Sequence, residues 1–157
     1  MYKIGIYFLV LILLTGGTAI AQKKKKKRER DIQNVVQTAY SYKGTPYKYG
    51  GSSKKGIDCS ALVQNSFASA GYKIPRTAQA QSKYGKKVNW SGLKTGDIVF
   101  FKFKSKREKW YHSGMITSVS KKGTYFIHAS TSKGVVVSNL NSDYYKKNVK
   151  TFRRVIK

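Results

Sequence analysis

The hydrophobic period of this chain changes once, after Gly85, and that change restricts the fold more than any other feature. Before it, apolar residues recur at helical spacing. Asp31 is placed to cap a helix carrying Ile32, Val35, Val36, Ala39 and Tyr40, with Gly44 as its stop. The glycine- and serine-rich stretch 45–56 reads as loop. Asp58 is a good N-cap for a second helix, in which Cys59, Leu62, Val63, Phe67 and Ala70 share a face and Gly71 terminates. Pro75 precedes a short helix near Thr77 to Tyr84. After Gly85 the period becomes two. Gly96-Asp97 turns into a strand at 98–103, and a charged loop follows at 104–109. Further strands fit 112–120, 124–129 and 135–139, separated by Lys121-Lys122-Gly123 and Ser132-Lys133-Gly134. A helical turn near 143–147 and a strand at 151–156 finish the chain. Strands that arrive in sequence through short turns pair antiparallel, so the expected class is α+β, helices first and sheet after.

The N-terminus reads differently. Lys3 is followed by an almost unbroken apolar run from Ile4 to Leu14, and Ala19-Ile20-Ala21 fits the small-x-small rule for signal peptidase. Residues 1–21 are therefore expected to be a signal peptide, cleaved after Ala21. A retained anchor is the competing reading, but an eleven-residue run is short for a span of about 20 residues. Residues 22–30 are nearly all basic and are expected to form a disordered tail, leaving residues 31–157 as one domain.

Charge narrows the function. With 32 Lys and Arg against 6 Asp and Glu, the net charge is +26, yet 40% of residues are hydrophobic, which is too many for a wholly disordered chain. Export argues against nucleic acid as the partner. In an envelope the anionic partners are wall polymers and lipid head groups, which such a charge would hold nearby. The single cysteine excludes an internal disulfide, and no Cys/His cluster has zinc-ligand spacing, so no metal is expected.

The chemistry-bearing residues are Cys59, His112 and His128. Cys59 falls at the first turn of a helix, where backbone amides stabilise a thiolate and lower a cysteine pKa. It also lies on the apolar face with Leu62 and Val63, so a small buried hydrophobe is the bland alternative. His112 begins one strand and His128 ends near the close of the next. In an antiparallel hairpin those positions are neighbours, which suits a base oriented by a second polar group. Each histidine taken alone reads equally as an ordinary hydrogen-bonded residue. Gly96 and Asp97 read as a turn with a structural role, and Arg76 as a partner for one of the few carboxylates.

Six motifs then occur in order: Pro46-Tyr47-x-Tyr49-Gly50-Gly51, Asp58-Cys59-Ser60-Ala61-Leu62-Val63, Pro75-Arg76-Thr77 with Gln81, Gly96-Asp97-Ile98-Val99-Phe100-Phe101, His112-Ser113-Gly114 and Ile127-His128-Ala129-Ser130. Together they resemble the NlpC family of bacterial cell-wall cysteine peptidases, over roughly residues 31–157. Ala61 and Met115 depart mildly from that pattern.

The resemblance implies a papain-like fold in which Cys59 is the nucleophile, His112 the general base and His128 the residue that orients His112. It implies substrate-binding roles for Tyr47, Asp58 and Ser60, no cofactor, and an endopeptidase acting on peptidoglycan stem peptides, often at the bond between γ-D-glutamate and the diamino acid. With the signal peptide, the enzyme is expected to be exported, and it is expected to be a monomer. Two alternatives stay open on the same residues. One is an amidase or acyltransferase using the same Cys-His-His set. The other is a basic wall-binding protein on a non-catalytic scaffold.

Overall fold

A computed structural model describes the backbone of residues 4–104 and 109–157, and the side chains of 19–103 and 111–157. The first element, α1, runs from Ile4 to Ser41. It passes through the basic stretch 22–30, expected to be disordered, and Asp31 lies inside it instead of capping it. Lysine and arginine are good helix formers. The distal part of α1 is anchored, because Val35 and Ala39 are wholly buried in the core. Extending a helix from an anchored segment needs no new nucleus. Asp31 reinforces the extension: it accepts from Lys27 Nζ, one turn earlier, at 2.6 Å and from Tyr72 Oη at 2.9 Å.

Beyond α1 the loop bonds to a distant strand. Gly44 N donates to Val135 O and Val135 N to Thr45 O, both at 2.9 Å. Gly134 makes this possible: its φ is +68°, and a Cβ there would strike the Thr45 carbonyl. A two-residue hairpin follows, β1 (Ser52–Ser53) and β2 (Gly56–Ile57), inside the stretch expected to be loop. Helix α2 spans Cys59–Ala68, with Asp58 as its N-cap accepting from Ala61 N. Its buried face carries Leu62, Val63 and Phe67 as expected. Helix α3 is shorter than its pattern, Ala78–Gln81, capped by Thr77.

Strand β3 (Lys86–Val88) was not legible in the sequence, and a 3₁₀ turn at Trp90–Gly92 follows it. The expected strands then appear as β4 (Ile98–Lys104), β5 (Lys109–Ser120), β6 (Gly123–Ser130) and β7 (Gly134–Asn139). Of the charged loop expected at 104–109, Lys104 and Lys109 belong to β4 and β5, and residues 105–108 lie outside the described residues. Helix α4 (Asp143–Lys146) and strand β8 (Val149–Arg154) close the chain. All neighbours pair antiparallel in the order β3-β8-β4-β5-β6-β7.

Both faces of the sheet are covered, which explains why β4 begins with four consecutive apolar residues. Ile98 and Phe100 pack with Met115 and Ile127 against α1 and α2. Val99 and Phe101 pack with Ile116, Phe126 and Phe152 on the other face, under Trp90 and Tyr145. The start of β4 is clamped to β8 by Asp97, wholly buried, whose carboxylate takes two bonds at 2.7 Å from Arg154 and one at 2.8 Å from Lys94 N. This is the structural role expected for the Gly96-Asp97 turn.

Gly114 brings β5 and β6 together where the histidines meet. A Cβ on Gly114 would lie 2.6 Å from Phe126 Cδ2, 2.9 Å from Ile127 O and 3.1 Å from His128 Cβ. Gly114→Ala should therefore destabilise the domain by roughly 1–3 kcal/mol through overpacking. The check is the urea midpoint with the slope held constant; an unchanged midpoint would show that the strands have room to spare.

Candidate functional site

The site is assembled where the N-terminus of α2 meets β5 and β6. Its foundation is the carboxylate of Asp58, which is buried and accepts from Gly50 N (3.1 Å), Ser60 Oγ (3.0 Å) and Ala61 N (2.7 Å). Arg76 adds Nη1 at 3.0 Å and Nη2 at 2.7 Å, and also donates to Ser60 Oγ at 2.9 Å. Burial alone raises the Asp58 carboxyl, but Arg76 with the Ala61 amide and the Ser60 hydroxyl holds it below the usual carboxylate range. Gln81 completes the clamp: its Nε2 donates to Ser60 O at 2.9 Å and Pro75 O at 2.8 Å. The Pro75-Arg76-Thr77 motif and Gln81 thus fasten the start of α2. The polar side-chain atoms of Asp58 and Ser60, for which the resemblance implied substrate contacts, are engaged with each other and with Arg76.

Cys59 is the first residue of α2 and is only 8% exposed. Its thiol lies against Ser113 of β5, whose backbone N–H and hydroxyl both favour the thiolate, as does the Ser60 N–H. Burial is the larger effect and pushes the thiol above its ordinary value, with Asp58 adding to the rise. This corrects the expectation of a depressed pKa: the amides of the helix start are present, but desolvation outweighs them. Ser113 escaped the sequence reading except as a motif letter. It is wholly buried, and its hydroxyl makes no other hydrogen bond among the described residues.

Tyr47 sits beside the thiol. Its backbone bridges to Ile57, and its phenol is raised first by burial and then by the negative charges of Cys59 and Asp58.

The two histidines are neighbours, as the hairpin argument expected. His112 Nε2 and His128 Nδ1 are 2.8 Å apart, with the rings at 88° to each other. The second nitrogen of His128, Nε2, meets Ser138 Oγ of β7 at 3.0 Å and Tyr145 Oη of α4 at 3.2 Å. The walls are aromatic. Phe126 stacks on His128 with centroids 4.7 Å apart, and Phe101 lies 6.0 Å from His112. Burial and then His128 press the His112 pKa down to about 3, and burial presses His128 down to about 4. At neutral pH both imidazoles are therefore uncharged, and the Cys59 thiol is protonated. Ser138 and Tyr145 carried no sequence signal beyond an ordinary strand serine and one tyrosine among twelve. Among the described residues no group of three His, Cys, Asp or Glu side chains could hold a metal ion.

The chain is similar to known proteins. The sequence matches the NlpC/P60 family over residues 44–154. It is 39% identical over 131 residues to a protein of Escherichia coli K12 named murein DD-endopeptidase MepS/murein LD-carboxypeptidase, covering 82% of this chain and 66% of that protein. It is 32% identical over 123 residues to a γ-D-glutamyl-L-lysine dipeptidyl-peptidase of Bacillus subtilis, covering 78% of this chain and 40% of that one. The fold superposes on the crystal structure of an NlpC/P60 family protein from Bacillus cereus with a TM-score of 0.71 at 27% identity, over 80% of this chain and 40% of that chain. The chain thus spans just under two thirds of the E. coli relative and less than half of the two Bacillus proteins. With the family match covering most of the sequence, and with its motifs meeting around one thiol and two coupled imidazoles, the chain belongs to the NlpC/P60 family.

Proposed function

We propose that this protein is an exported cysteine endopeptidase that hydrolyses the peptide stems of bacterial peptidoglycan. The observation that carries this reading is the coupled pair His112–His128 one residue along β5 from the serine that touches the Cys59 thiol. Cys59 Sγ attacks the scissile carbonyl carbon while its proton passes to Nδ1 of His112, the ring nitrogen not engaged by His128. The tetrahedral intermediate collapses to a thioester, and His112 returns the proton to the departing amine. Water, deprotonated by the same nitrogen, then attacks the thioester and releases the carboxylate and the thiol. His128 keeps the His112 ring in place. Tyr47, beside the thiol, flanks the bound stem. A non-catalytic wall-binding role would leave the coupled imidazoles without a task.

The bond we assign is the one joining γ-D-glutamate to the diamino acid, the bond type printed in the name of the B. subtilis relative. Mass spectrometry of fragments from digested peptidoglycan tests it. Free γ-D-glutamyl carboxyl ends support the assignment, whereas cleavage only at cross-links between stems, in keeping with the name of the E. coli relative, overturns it.

Residues 1–21 act in this reading as the export signal, and the net charge, +26 in the full sequence and one less once Lys3 is removed with the signal, holds the enzyme on anionic wall polymers or lipid head groups. A wide recess of about 1300 Å³ beside the basic part of α1 is lined by Lys23, Lys24, Lys27, Arg30 and Lys94, which adds to the cationic surface.

Substitution at the site has two expected outcomes. Cys59→Ala should abolish hydrolysis with an unchanged fold by circular dichroism, and His112→Ala should cost more than His128→Ala on one substrate at one pH. The base is worth about 10²–10⁴-fold, while an orienting group is partly replaceable by water.

Acid should destabilise the fold in a defined window. Both imidazoles titrate near 6.5 when unfolded but at about 3 and about 4 when folded. The folded state therefore binds fewer protons, and the stability present above pH 6.5 is lost as pH falls toward those values. At pH 5.5 the loss is about 1.4 kcal/mol per imidazole, so urea unfolding at pH 7 and 5.5 should differ by roughly twice as much in the wild type as in His128→Asn. Equal differences would mean that His128 titrates normally in the fold.

Salt should separate wall retention from chemistry. Exposed charges are screened over about 8 Å at physiological ionic strength. Raising NaCl should release the protein from intact walls and slow their cleavage, while turnover of a soluble stem peptide changes little. Equal sensitivity of the two substrates would remove electrostatic retention from the account.

A further inference from the structure

A neutral imidazole carries one N–H, and His112 and His128 are both neutral at pH 7 and share a 2.8 Å contact. One proton lies between them, so two arrangements are possible. If it belongs to His128 Nδ1, then His112 Nε2 accepts it and His112 must carry its own proton on Nδ1. That nitrogen then cannot take a proton from the thiol. If the proton belongs to His112 Nε2, then His112 Nδ1 is bare and able to act as a base. In that case His128 Nδ1 accepts, and the proton of His128 must sit on Nε2 and be donated onward. What stands at His128 Nε2 therefore selects between an active and an inactive tautomer of a different residue.

Two hydroxyls stand there, and their chemistry differs. Ser138 Oγ, at 3.0 Å, is an aliphatic hydroxyl with good acceptor lone pairs. Tyr145 Oη, at 3.2 Å, is a phenol, the more acidic group and the readier donor. A donor at this position would place the lone pair on Nε2 and the proton on Nδ1, which is the inactive arrangement. An acceptor does the opposite. The shorter contact is to the acceptor.

We propose that Ser138 is a positioning residue, accepting the His128 Nε2–H at the end of a chain Ser138–His128–His112 and so holding the bare Nδ1 of His112 ready as the base. Tyr145 is the competing donor, held by ring packing on Phe101 and Phe126 at 5.5 and 4.9 Å. The same chain serves after proton transfer, because the His112 imidazolium still donates through Nε2 and no proton on His128 has to move. The sequence places the serine simply: β7 pairs Ser138 opposite Phe126 and Val136 opposite His128, so Ser138 is the diagonal neighbour of the histidine.

This inference rests on the hydrolase reading, but its test does not depend on turnover alone. Two-bond ¹⁵N–¹H spectra of histidine-labelled protein at pH 7 report which nitrogen of each ring carries the proton. The expected result is Nε2–H for both His112 and His128. In Ser138→Ala the His128 signal should move toward Nδ1–H, and kcat should fall about 10-fold or more with KM little changed, since a wrong tautomer at a triad is known to be costly. Ser138→Thr should restore both the signal and the rate, which a merely structural role would not require. Tyr145→Phe should leave the His128 proton on Nε2. An Nδ1–H signal for His128 in the wild type, or unaltered spectra and kcat in Ser138→Ala, would overturn the proposal. If the spectra are as expected but the wild type cleaves no stem peptide, the hydrolase reading fails and the tautomer assignment stands.

Discussion

The ion pair between Asp58 and Arg76 is the contact on which the site depends, because it fixes the first turn of α2 and with it Cys59. Asp58 caps the helix, and the Ala61 amide and the Ser60 hydroxyl leave it with remaining acceptor capacity that Gly50 and Arg76 fill. A carboxylate this buried is tolerated only while it is paired, so loss of Arg76 would leave an uncompensated charge beside Cys59. The acidic residues of this chain are few, and three of the six are used in the same way. Asp31 ties α1 to Tyr72, Asp58 ties α2 to Arg76, and Asp97 ties β4 to Arg154. In a protein so heavily cationic, each buried acid is a fixed point around which basic side chains and amides are gathered.

Much of this was legible in the sequence because it follows from period and punctuation. The α2 cap and face, strands β4 to β7 and the meeting of His112 with His128 come from residues whose local pattern agrees with the tertiary structure. Strand β3 does not: Lys86-Lys87-Val88 has no alternation of its own and is an edge strand only because β8, far along the chain, pairs with it. The basic stretch 22–30 misled in the other direction. Its like charges favour disorder when considered alone, while the anchored helix downstream and the Lys27–Asp31 pair extend helical structure through it.

The site was half legible for a related reason. Residue types and topology named the thiol and the imidazoles, but the balance between helix amides and desolvation at Cys59 depends on burial, which no N-cap motif reports. Ser113 is one of several serines and threonines in β5, and Ser138 follows three valines in β7. What distinguishes them is which face each occupies: Ser113 meets the thiol from β5, and Ser138 meets His128 from β7. The Asp58–Arg76 pairing was foreseeable as some carboxylate partner for Arg76, but the choice among six acids belongs to the fold.

Burial and proton placement are linked at this site. An exposed histidine exchanges tautomers through water, so its second nitrogen needs no particular neighbour. Here Phe126, Phe101 and Tyr145 surround the imidazoles and their pKa values fall to about 4 and about 3, so neither ring is charged at neutral pH. Two neutral rings in contact share one proton, and its location is decided by the next polar atom outward. The aromatic wall that keeps His112 unprotonated is the same feature that removes water as a substitute partner. A site built this way must supply its own terminal acceptor. The hydroxyl of Ser138 stands in that place.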